Sequence, residues 1–204
     1  MEANFIDRKS CFIGEKVRLG KNVVIYENNR IEGDCFIDDG TILLPNNFIK
    51  NSKIGKNCTI HASVVEESVV ENNVSIGPYA HLRPNCIVKS KCKIGNFVEI
   101  KNSEIAENSK ISHLAYVGDC KIGEHCNIGC GVIFCNYDGK KKNKTEVGDH
   151  VFIGSNCNII APVCIAKDSY ICAGTTVTKD TCSNDLVIGR VRQENKPNKA
   201  SKYW

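Results

Sequence analysis

The chain has 204 residues, 42% of them hydrophobic, and a formal net charge of +4. A charge this small does not favour nucleic-acid binding, and the sequence shows neither an apolar run of about 18 residues nor a secretory signal. We therefore expect a cytoplasmic protein with no nucleic-acid or membrane partner, long enough to bury one continuous core.

Taken in chain order, aliphatic residues recur at every sixth position. The period holds from Ile13 to Ile49, from Ile76 to Ile100 and from Val147 to Val177, and steps of five or six join these runs. A helix would need spacings of three and four, and a two-faced strand would need strict alternation. A period of six is typical of a parallel β-helix, in which each short strand points one aliphatic residue inward. The sequence therefore predicts a mainly β protein built as a single β-helix of hexapeptide repeats.

The repeat also predicts the domain organisation. Residues 1-180 would form the β-helix, with one protruding loop at about 135-146, and residues 181-204, where the period is lost, would form a C-terminal tail. With three units in each coil, about nine or ten coils stacked at about 4.7–4.9 Å would make a prism roughly 45 Å long.

Thirteen cysteines are present, and their positions follow the repeat. Eight of them stand two residues before an inward aliphatic residue, in a slot that elsewhere holds Val, Ala, Ser or Thr: Cys11, Cys35, Cys58, Cys86, Cys92, Cys120, Cys126 and Cys157. A thiol in such a slot acts as a small hydrophobic group. Because the total is odd and no C-x-x-C motif occurs, we expect neither structural disulfides nor a zinc ribbon, but a reducing compartment.

Polar and charged residues cluster in three consecutive coils of the predicted helix. The stretches HLRP, NFVEIKNS and SHLAYVGD contain Arg83, Lys101, His113 and Tyr116. An arginine with one or two lysines makes a phosphate clamp, because the guanidinium fork suits phosphate oxygens. A histidine beside such a clamp is a candidate general base.

The six-residue period is interrupted once by a polar segment, FCNYDGKKKNKTEVG. From Phe134 to Val147 it uses thirteen positions, about seven more than the repeat needs. A rigid scaffold that extrudes one long loop usually does so for binding or catalysis. The residues NYDG read as a turn at the base of the loop, and the lysines beyond it could reach an anion.

A resemblance to one family is carried by eight motifs: GPYAHLRP, IGNFVEIKNS, HLAYVGD, IGEHCNIGCGVIFCNYDG, KTEVGDHVFIGS, APVCIA, AGTTVTKD and GRVRQ. They resemble the acetyltransferase half of the bacterial bifunctional enzymes that make UDP-N-acetylglucosamine, a cell-wall (peptidoglycan) precursor. The resemblance runs from Phe12 to the tail and is most specific between Gly77 and Gln193. It implies a left-handed β-helix, a homotrimer and active sites between subunits.

The resemblance also implies roles for individual residues in N-acetylation of glucosamine 1-phosphate. His113 would accept the proton of the 2-amino group, Glu99 would orient the imidazole, and the backbone N–H of Cys130, where the family usually has alanine, would bind the oxyanion. The sugar phosphate would be held by Arg83, Lys101 and Lys142, and the sugar by Tyr116, Asn127, Asn136 and Tyr137. Lys142 is expected to reach the site at a subunit boundary.

Acetyl-CoA is the cosubstrate that the resemblance implies, and no metal is expected. It would lie past Ser155 and Ala173, near Cys130, with Arg190 and Lys196 on its phosphates. No nucleotide-binding α/β domain or Gly-rich loop precedes the repeat, so we expect no uridyltransferase activity from this sequence.

Three alternatives stay open at this point. The chain could be a hexapeptide acyltransferase with another acceptor, such as serine or a nucleotide sugar. A zinc enzyme of the carbonic anhydrase type would need three converging histidines, and the five histidines, at positions 61, 81, 113, 125 and 150, show no close pair in the sequence. A trimeric scaffold without catalysis is the third, because a shared fold does not entail shared chemistry.

Overall fold

The hexapeptide units fold as short parallel strands that stack into a β-solenoid. The computed structural model describes residues 3–202, so the ends of the predicted domain and tail, residues 1–2 and 203–204, lie outside the described part. Two short 3₁₀ turns are present, Arg8–Ser10 and Ala200–Lys202. No helix within the described residues is long and apolar enough to cross a bilayer.

The strands of the described chain are β1 (Asn4–Phe5), β2 (Phe12–Ile13), β3 (Arg18–Leu19), β4 (Val24–Ile25), β5 (Arg30–Glu32), β6 (Phe36–Ile37), β7 (Ile42–Leu43), β8 (Phe48–Lys50), β9 (Lys53–Ile54), β10 (Thr59–Ile60), β11 (Val64–Glu66), β12 (Val69–Val70), β13 (Ser75–Ile76), β14 (His81–Leu82), β15 (Ile87–Val88), β16 (Lys93–Lys101), β17 (Glu104–Ile105), β18 (Lys110–Gly118), β19 (Cys120–Ile122), β20 (Asn127–Ile128), β21 (Ile133–Cys135), β22 (Thr145–Val147), β23 (Phe152–Ile153), β24 (Asn158–Ile160), β25 (Val163–Ile165), β26 (Tyr170–Ile171), β27 (Thr176–Val177) and β28 (Leu186–Val187).

Parallel pairing between coils divides these strands among three faces of the prism. Face 1 runs from β2 through β14 and β21 to β27, face 2 from β1 through β13 and β20 to β28, and face 3 from β3 through β15 and β22 to β25. Strands β16 and β18 bend around the edge between faces 2 and 1 and belong to both. Face 3 has nine strands, one from each coil. The predicted coil and the number of coils are therefore confirmed, and the left hand and the trimer remain implications of the resemblance.

The inward aliphatic residues form one column along the axis of the prism. Residues such as Ile31, Ile49 and Ile100 are fully buried in a single cluster that runs from Cys11 to Val177. Ile13 is only partly buried, because coils at the end of the stack have a neighbour on one side only. Burial of each inward side chain contributes about 1.5–3 kcal/mol, so the column stabilises the whole stack.

The eight cysteines predicted to fill corners are all buried, and all thirteen cysteines are free thiols. Seven of the eight, all but Cys120, donate from the thiol to a backbone carbonyl of the next coil, as in Cys58 Sγ to Glu71 O at 2.9 Å. Burial raises the pKa of the Cys92 thiol to about 11. These cysteines therefore act as small uncharged core groups, as the sequence predicts.

The protruding loop makes one coil longer than the others, in which paired residues lie between 16 positions apart, as Ile49 and Val65 do, and 20 apart, as Phe5 and Ile25 do. Ile122 pairs with Val147, 25 positions on, whereas Val147 pairs with Ile165, 18 positions on. Residues 136–144 lie between β21 and β22. This loop is shorter than the expected 135-146 because Cys135 still pairs with Ile160 and residues 145–146 already pair with face 3.

The C-terminal region differs from the prediction at one point. The expected tail from residue 181 contains strand β28, and Leu186 and Val187 pair with Tyr170 and Ile171. The step from Val177 to Val187 breaks the six-residue period, so the sequence pattern did not indicate this strand. Beyond it, residues 190–199 have no regular structure and are exposed.

Candidate active site

Two edges of the prism border face 1 and carry most of the predicted site residues. The edge between faces 2 and 1, here called the site edge, is formed by residues 77–79, 95–97, 112–114, 129–131, 154–156 and 172–174. The edge between faces 1 and 3, here called the loop edge, is formed by residues 83–85, 101–102, 118–119 and the loop 136–144. The short strands of face 1 separate them.

His113 lies exposed on the site edge, and its ring contacts Asn96 of the preceding coil. The distance from Nδ1 to Asn96 Oδ1 is 3.2 Å, and the two residues are partners in the register of β16 and β18. The amide oxygen can only accept, so Nδ1 carries the proton in this contact and Nε2 is left as the basic nitrogen. Asn96 was missed from the sequence, although its position one coil before His113 follows from the repeat.

Glu99 makes a different contact from the one expected. Arg83 Nη1 donates to Glu99 Oε1 at 2.9 Å, in an ion pair with both side chains about four-tenths exposed. This pairing raises the pKa of Arg83. Glu99 therefore holds the arginine, and Asn96 is the side chain that contacts the imidazole of His113.

Arg83, Lys101 and Lys142 form a cationic cluster at the loop edge. The Lys142 ammonium, brought back by the loop, lies beside Lys101 and lowers the pKa of Lys101, with desolvation and Arg83 as smaller causes. The ion pairs of the described residues engage Arg83 but neither of these lysines. The cluster has the charge to bind an anion. Lys142 lies beside Lys101 of the same chain, and its place at a subunit boundary stays a prediction.

The loop that carries Lys142 is anchored by Asp138. The Asp138 carboxylate accepts from the backbone N–H groups of Lys140 and Lys141, each at 2.8 Å, and from Asn143 Nδ2 at 2.9 Å. These hydrogen bonds, that of Lys141 first, lower the pKa of Asp138 to about 2. The Tyr137 hydroxyl donates to Gly139 O at 2.7 Å, so this predicted sugar-binding residue is tied to its own loop.

A buried polar network lies beneath the base of the loop. Asp119, 7% exposed, accepts from Asn136 Nδ2 and Asn102 Nδ2, and Asn136 Nδ2 also lies 3.4 Å from the Tyr116 hydroxyl. A Cβ on Gly118 would lie 2.4 Å from that hydroxyl, so only glycine allows the approach. Asp119 and Asn102 were not predicted, because side-chain hydrogen bonds at an edge are not encoded in the period.

Cys130 lies on the site edge one coil after His113. Its carbonyl accepts from Asn156 N at 2.8 Å, and its N–H has no acceptor among the described residues. A free backbone N–H is the group that can bind an oxyanion.

Asn127 lies three residues before Cys130, on face 2, where it pairs with Lys110 and Phe152. It is therefore separated from Tyr116, another predicted sugar-binding residue, which lies on face 1.

The residues predicted to contact acetyl-CoA continue along the same edge. Gly174 N donates to Ser155 O at 2.9 Å, which stacks these two coils, and the Arg190 Nη1 donates to Ala173 O at 3.1 Å. The side chain of Arg190 thus folds onto the edge. Lys196 is exposed and lies 3.6 Å from Glu194, away from these contacts.

Coil stacking does bring two histidines together. The rings of His125 and His150 stack with centroids 5.1 Å apart, although 25 positions separate them in the sequence. Within residues 3–202 no group of three or more His, Cys, Asp or Glu side chains could hold a metal ion. The stacked pair lies between faces 3 and 2, on neither edge of face 1.

Two family models match the chain, the GMPPB C-terminal domain over residues 64–137 and the six-repeat bacterial transferase hexapeptide over residues 144–179. Bifunctional protein GlmU of Caldicellulosiruptor saccharolyticus is 50% identical over 191 residues, which cover 94% of this chain and 41% of that protein. GlmU of Clostridium beijerinckii is 43% identical, over 93% of this chain and 42% of that protein. The chain thus spans about two fifths of the length of the curated relatives it matches.

Solved structures support the fold. An Arabidopsis UDP-N-acetylglucosamine acyltransferase superposes with a TM-score of 0.62 at 18% identity, covering 86% of this chain and 68% of that one. A mutant GDP-perosamine N-acetyltransferase from Caulobacter crescentus superposes with a TM-score of 0.52 at 24% identity, covering 59% and 57%. The resemblance drawn from the sequence motifs is confirmed by the GlmU matches, and the β-helix by these two structures.

Proposed function

We propose that this chain, which matches the six-repeat bacterial transferase hexapeptide model and is similar over nearly its whole length to two fifths of GlmU, transfers the acetyl group of acetyl-CoA to the 2-amino group of glucosamine 1-phosphate. The product would be N-acetylglucosamine 1-phosphate, for use in UDP-N-acetylglucosamine synthesis. The observation that carries the proposal is where the chemical groups lie around face 1. The His113 imidazole and the free N–H of Cys130 lie on the site edge, and the cationic cluster lies on the loop edge.

The mechanism follows from the atoms on the site edge. The amine nitrogen attacks the thioester carbon while Nε2 of His113 takes its proton, which Asn96 allows by holding Nδ1. The Cys130 N–H binds the oxyanion that develops on the carbonyl oxygen, a contribution of about 2.7–4 kcal/mol. The C–S bond then breaks, and the leaving thiolate of CoA takes the proton from the imidazolium.

The cationic cluster supplies the preference for a phosphorylated acceptor. Arg83 can present a forked pair of donors, and Lys101 and Lys142 add two ammonium groups without carboxylate partners among the described residues. A dianionic phosphate would relieve the repulsion between the two lysines. Among hexapeptide acyltransferases, this charge favours a sugar phosphate over serine as the acceptor.

We also infer that the site is completed by further copies of the chain, as the resemblance implies for a trimer. His113 is exposed and Cys130 is half-buried on the site edge. The same edge exposes Tyr79, Phe97 and Leu114, which are 62%, 56% and 56% exposed in successive coils. An apolar row beside polar catalytic groups supports a subunit contact there, because such contiguous patches are uncommon on monomers.

The proposal is tested by thiol release from acetyl-CoA with glucosamine 1-phosphate as acceptor, corrected for the thirteen protein thiols. We expect His113→Ala to lower kcat by roughly 10²–10⁴, and glucosamine without phosphate to be a poor acceptor. His125→Ala, which changes a histidine between faces 3 and 2, serves as the matched control with native rates. Equal rates in the native and His113→Ala proteins would contradict the assignment.

A further inference from the structure

Asp119 is a buried carboxylate to which the proposed reaction assigns no role. It lies in the left-handed region with φ 51° between β18 and β19. Its N–H donates to Lys101 O at 3.0 Å and its carbonyl accepts from Thr145 N at 3.2 Å, so its backbone joins three successive coils. Asp119 is therefore held rigidly, and the direction of its side chain is fixed with it.

The two oxygens of this carboxylate are each used by one amide. Oδ1 accepts from Asn102 Nδ2 and Oδ2 accepts from Asn136 Nδ2. No ion pair of the described residues includes Asp119. A buried carboxylate needs hydrogen-bond donors, and here they come from two side-chain amides.

The carboxylate determines which way the Asn136 amide faces. If the amide were reversed, its oxygen would meet a carboxylate oxygen, and neither atom could donate. Asn136 Oδ1 has no donor among the described residues, and it is not a fully buried unsatisfied atom. This oxygen is therefore the atom of Asn136 that is left to accept a hydrogen bond from a ligand at the loop edge.

We propose that Asp119 is a positioning residue that fixes the Asn136 amide so that Oδ1 accepts a hydrogen bond from the bound amino sugar. The inference rests on the proposed function and deepens it: the acceptor must offer an N–H or O–H donor next to its phosphate. Asn102 completes the arrangement by occupying the second carboxylate oxygen. Asp119 itself touches no reacting atom.

The first test is Asp119→Asn, which keeps the size of the side chain but replaces one acceptor oxygen by a donor. The new amide cannot accept from both neighbours, so Asn136 adopts both orientations. We expect kcat/KM for glucosamine 1-phosphate to fall by up to about a hundredfold, because small misplacements have effects of this size. The KM for acetyl-CoA stays unchanged, since its predicted contacts lie on the site edge.

The second test combines Asp119→Asn with Asn136→Asp. The carboxylate at position 136 then accepts from the amide at 119 and still turns its other oxygen towards the sugar. We expect this exchanged pair to recover roughly tenfold over Asp119→Asn alone. Asn136→Asp alone sets two carboxylates against each other and is expected to be less active than the exchanged pair.

Nuclear magnetic resonance of asparagine side chains gives a readout that does not depend on turnover. The Nδ2 protons of Asn136 should exchange slowly in the native protein and quickly in Asp119→Asn. Asp149→Asn is the matched control, because the Asp149 carboxylate accepts only from the backbone of Glu124, and an amide oxygen can replace it.

Native kcat/KM and native exchange in Asp119→Asn would overturn the inference. A native protein that acetylates no amino-sugar phosphate would overturn the proposed function instead, and the exchange rates would then decide the orientation of Asn136 on their own.

Discussion

At the residue scale, the cationic cluster favours the binding of a phosphate but lowers the stability of the folded protein. The folded state lowers the pKa of Lys101, chiefly through Lys142, so it disfavours the protonated form. That destabilisation is present at neutral pH and disappears only as the pH rises through the lysine titration. We expect Lys142→Ala to raise the KM for glucosamine 1-phosphate by about tenfold or more, while leaving Tm at low salt equal or slightly higher.

Steady-state kinetics and thermal unfolding at low and high salt check this expectation. Lys140→Ala is the matched control, because Lys140 lies in the same loop and contributes only its backbone N–H to Asp138. A marked fall of Tm in Lys142→Ala, with an unchanged KM, would contradict the account.

Asp138 gives a prediction about pH. Its pKa is about 2 in the folded loop, below the ordinary value of 3.8. A lowered carboxylate pKa contributes stability above the ordinary pKa, and this contribution is lost as the pH falls towards the folded value. We expect amide exchange at Lys140 and Lys141 to accelerate, beyond the intrinsic rate, as the pH falls from about 4 to about 2.

At neutral pH the same loss is expected from Asp138→Ala, together with a higher KM for the phosphorylated acceptor. Asp138→Asn keeps an acceptor oxygen and should behave more like the native protein. Protection of both amides in Asp138→Ala at the native level would show that something else anchors the loop.

At the element scale, β18 serves the site with residues on both edges of face 1. Gly118 ends this strand, and an added Cβ would lie 2.4 Å from Tyr116 Oη and 2.7 Å from Asn136 Nδ2. We expect Gly118→Ala to displace these two side chains and lower kcat/KM by at least about tenfold. Tm should fall as well, because the displaced Asn136 amide leaves an oxygen of the buried Asp119 carboxylate without its donor.

Gly14→Ala is the comparison for this variant. Its Cβ would lie 3.3 Å from Glu32 Cα, the nearest heavy atom, in a coil that carries none of the candidate site residues. Native kinetics in Gly118→Ala would show that the network beneath the loop does not determine the activity.

At the scale of the whole molecule, the burial of the thiols predicts their reactivity. Cys164 and Cys182 are exposed, three more cysteines are half-buried, and eight are buried. The thiolate is the reactive form. Burial raises the pKa of seven buried thiols, that of Cys92 to about 11. Titration with a disulfide reagent should therefore show two fast thiols, up to three slower ones, and the remainder only after unfolding.

The count of thiols released before and after denaturant checks this order. Fast reaction of more than five thiols in the native protein would mean that the coils open readily and that the column of aliphatic residues is not continuous.

The six-residue repeat predicted the features that recur from coil to coil along the axis of the prism. Because each coil repeats the last, three features follow from counting positions: the column of aliphatic residues, the buried cysteines, and the stacking of the coils that carry Arg83, Lys101 and Tyr116. The loop was predicted because it is the one long break in the count. These features can be predicted without knowing the conformations of the side chains.

The features that the sequence did not predict depend on side-chain geometry at the edges. Glu99 is within reach of more than one cation or imidazole, and only its rotamer selects Arg83. Asp119 and Asn102 meet through hydrogen bonds that no period encodes. Strand β28 follows an irregular step in the aliphatic period, from Val177 to Val187. The period therefore does not predict that β28 pairs with β26.

The coil-by-coil register has a consequence for how such a protein can change in length. Each strand pairs only with the coils directly before and after it, as Ile31 does with Ile13 and Ile49. A complete coil added or removed near there would keep every remaining edge aligned. Coils of slightly different length already stack side by side, since paired residues lie 18 positions apart at Ile31 and Ile49 but 16 apart at Ile49 and Val65. We therefore expect that whole turns can be added or removed well away from the coils that carry the candidate site residues, with no effect on the reaction.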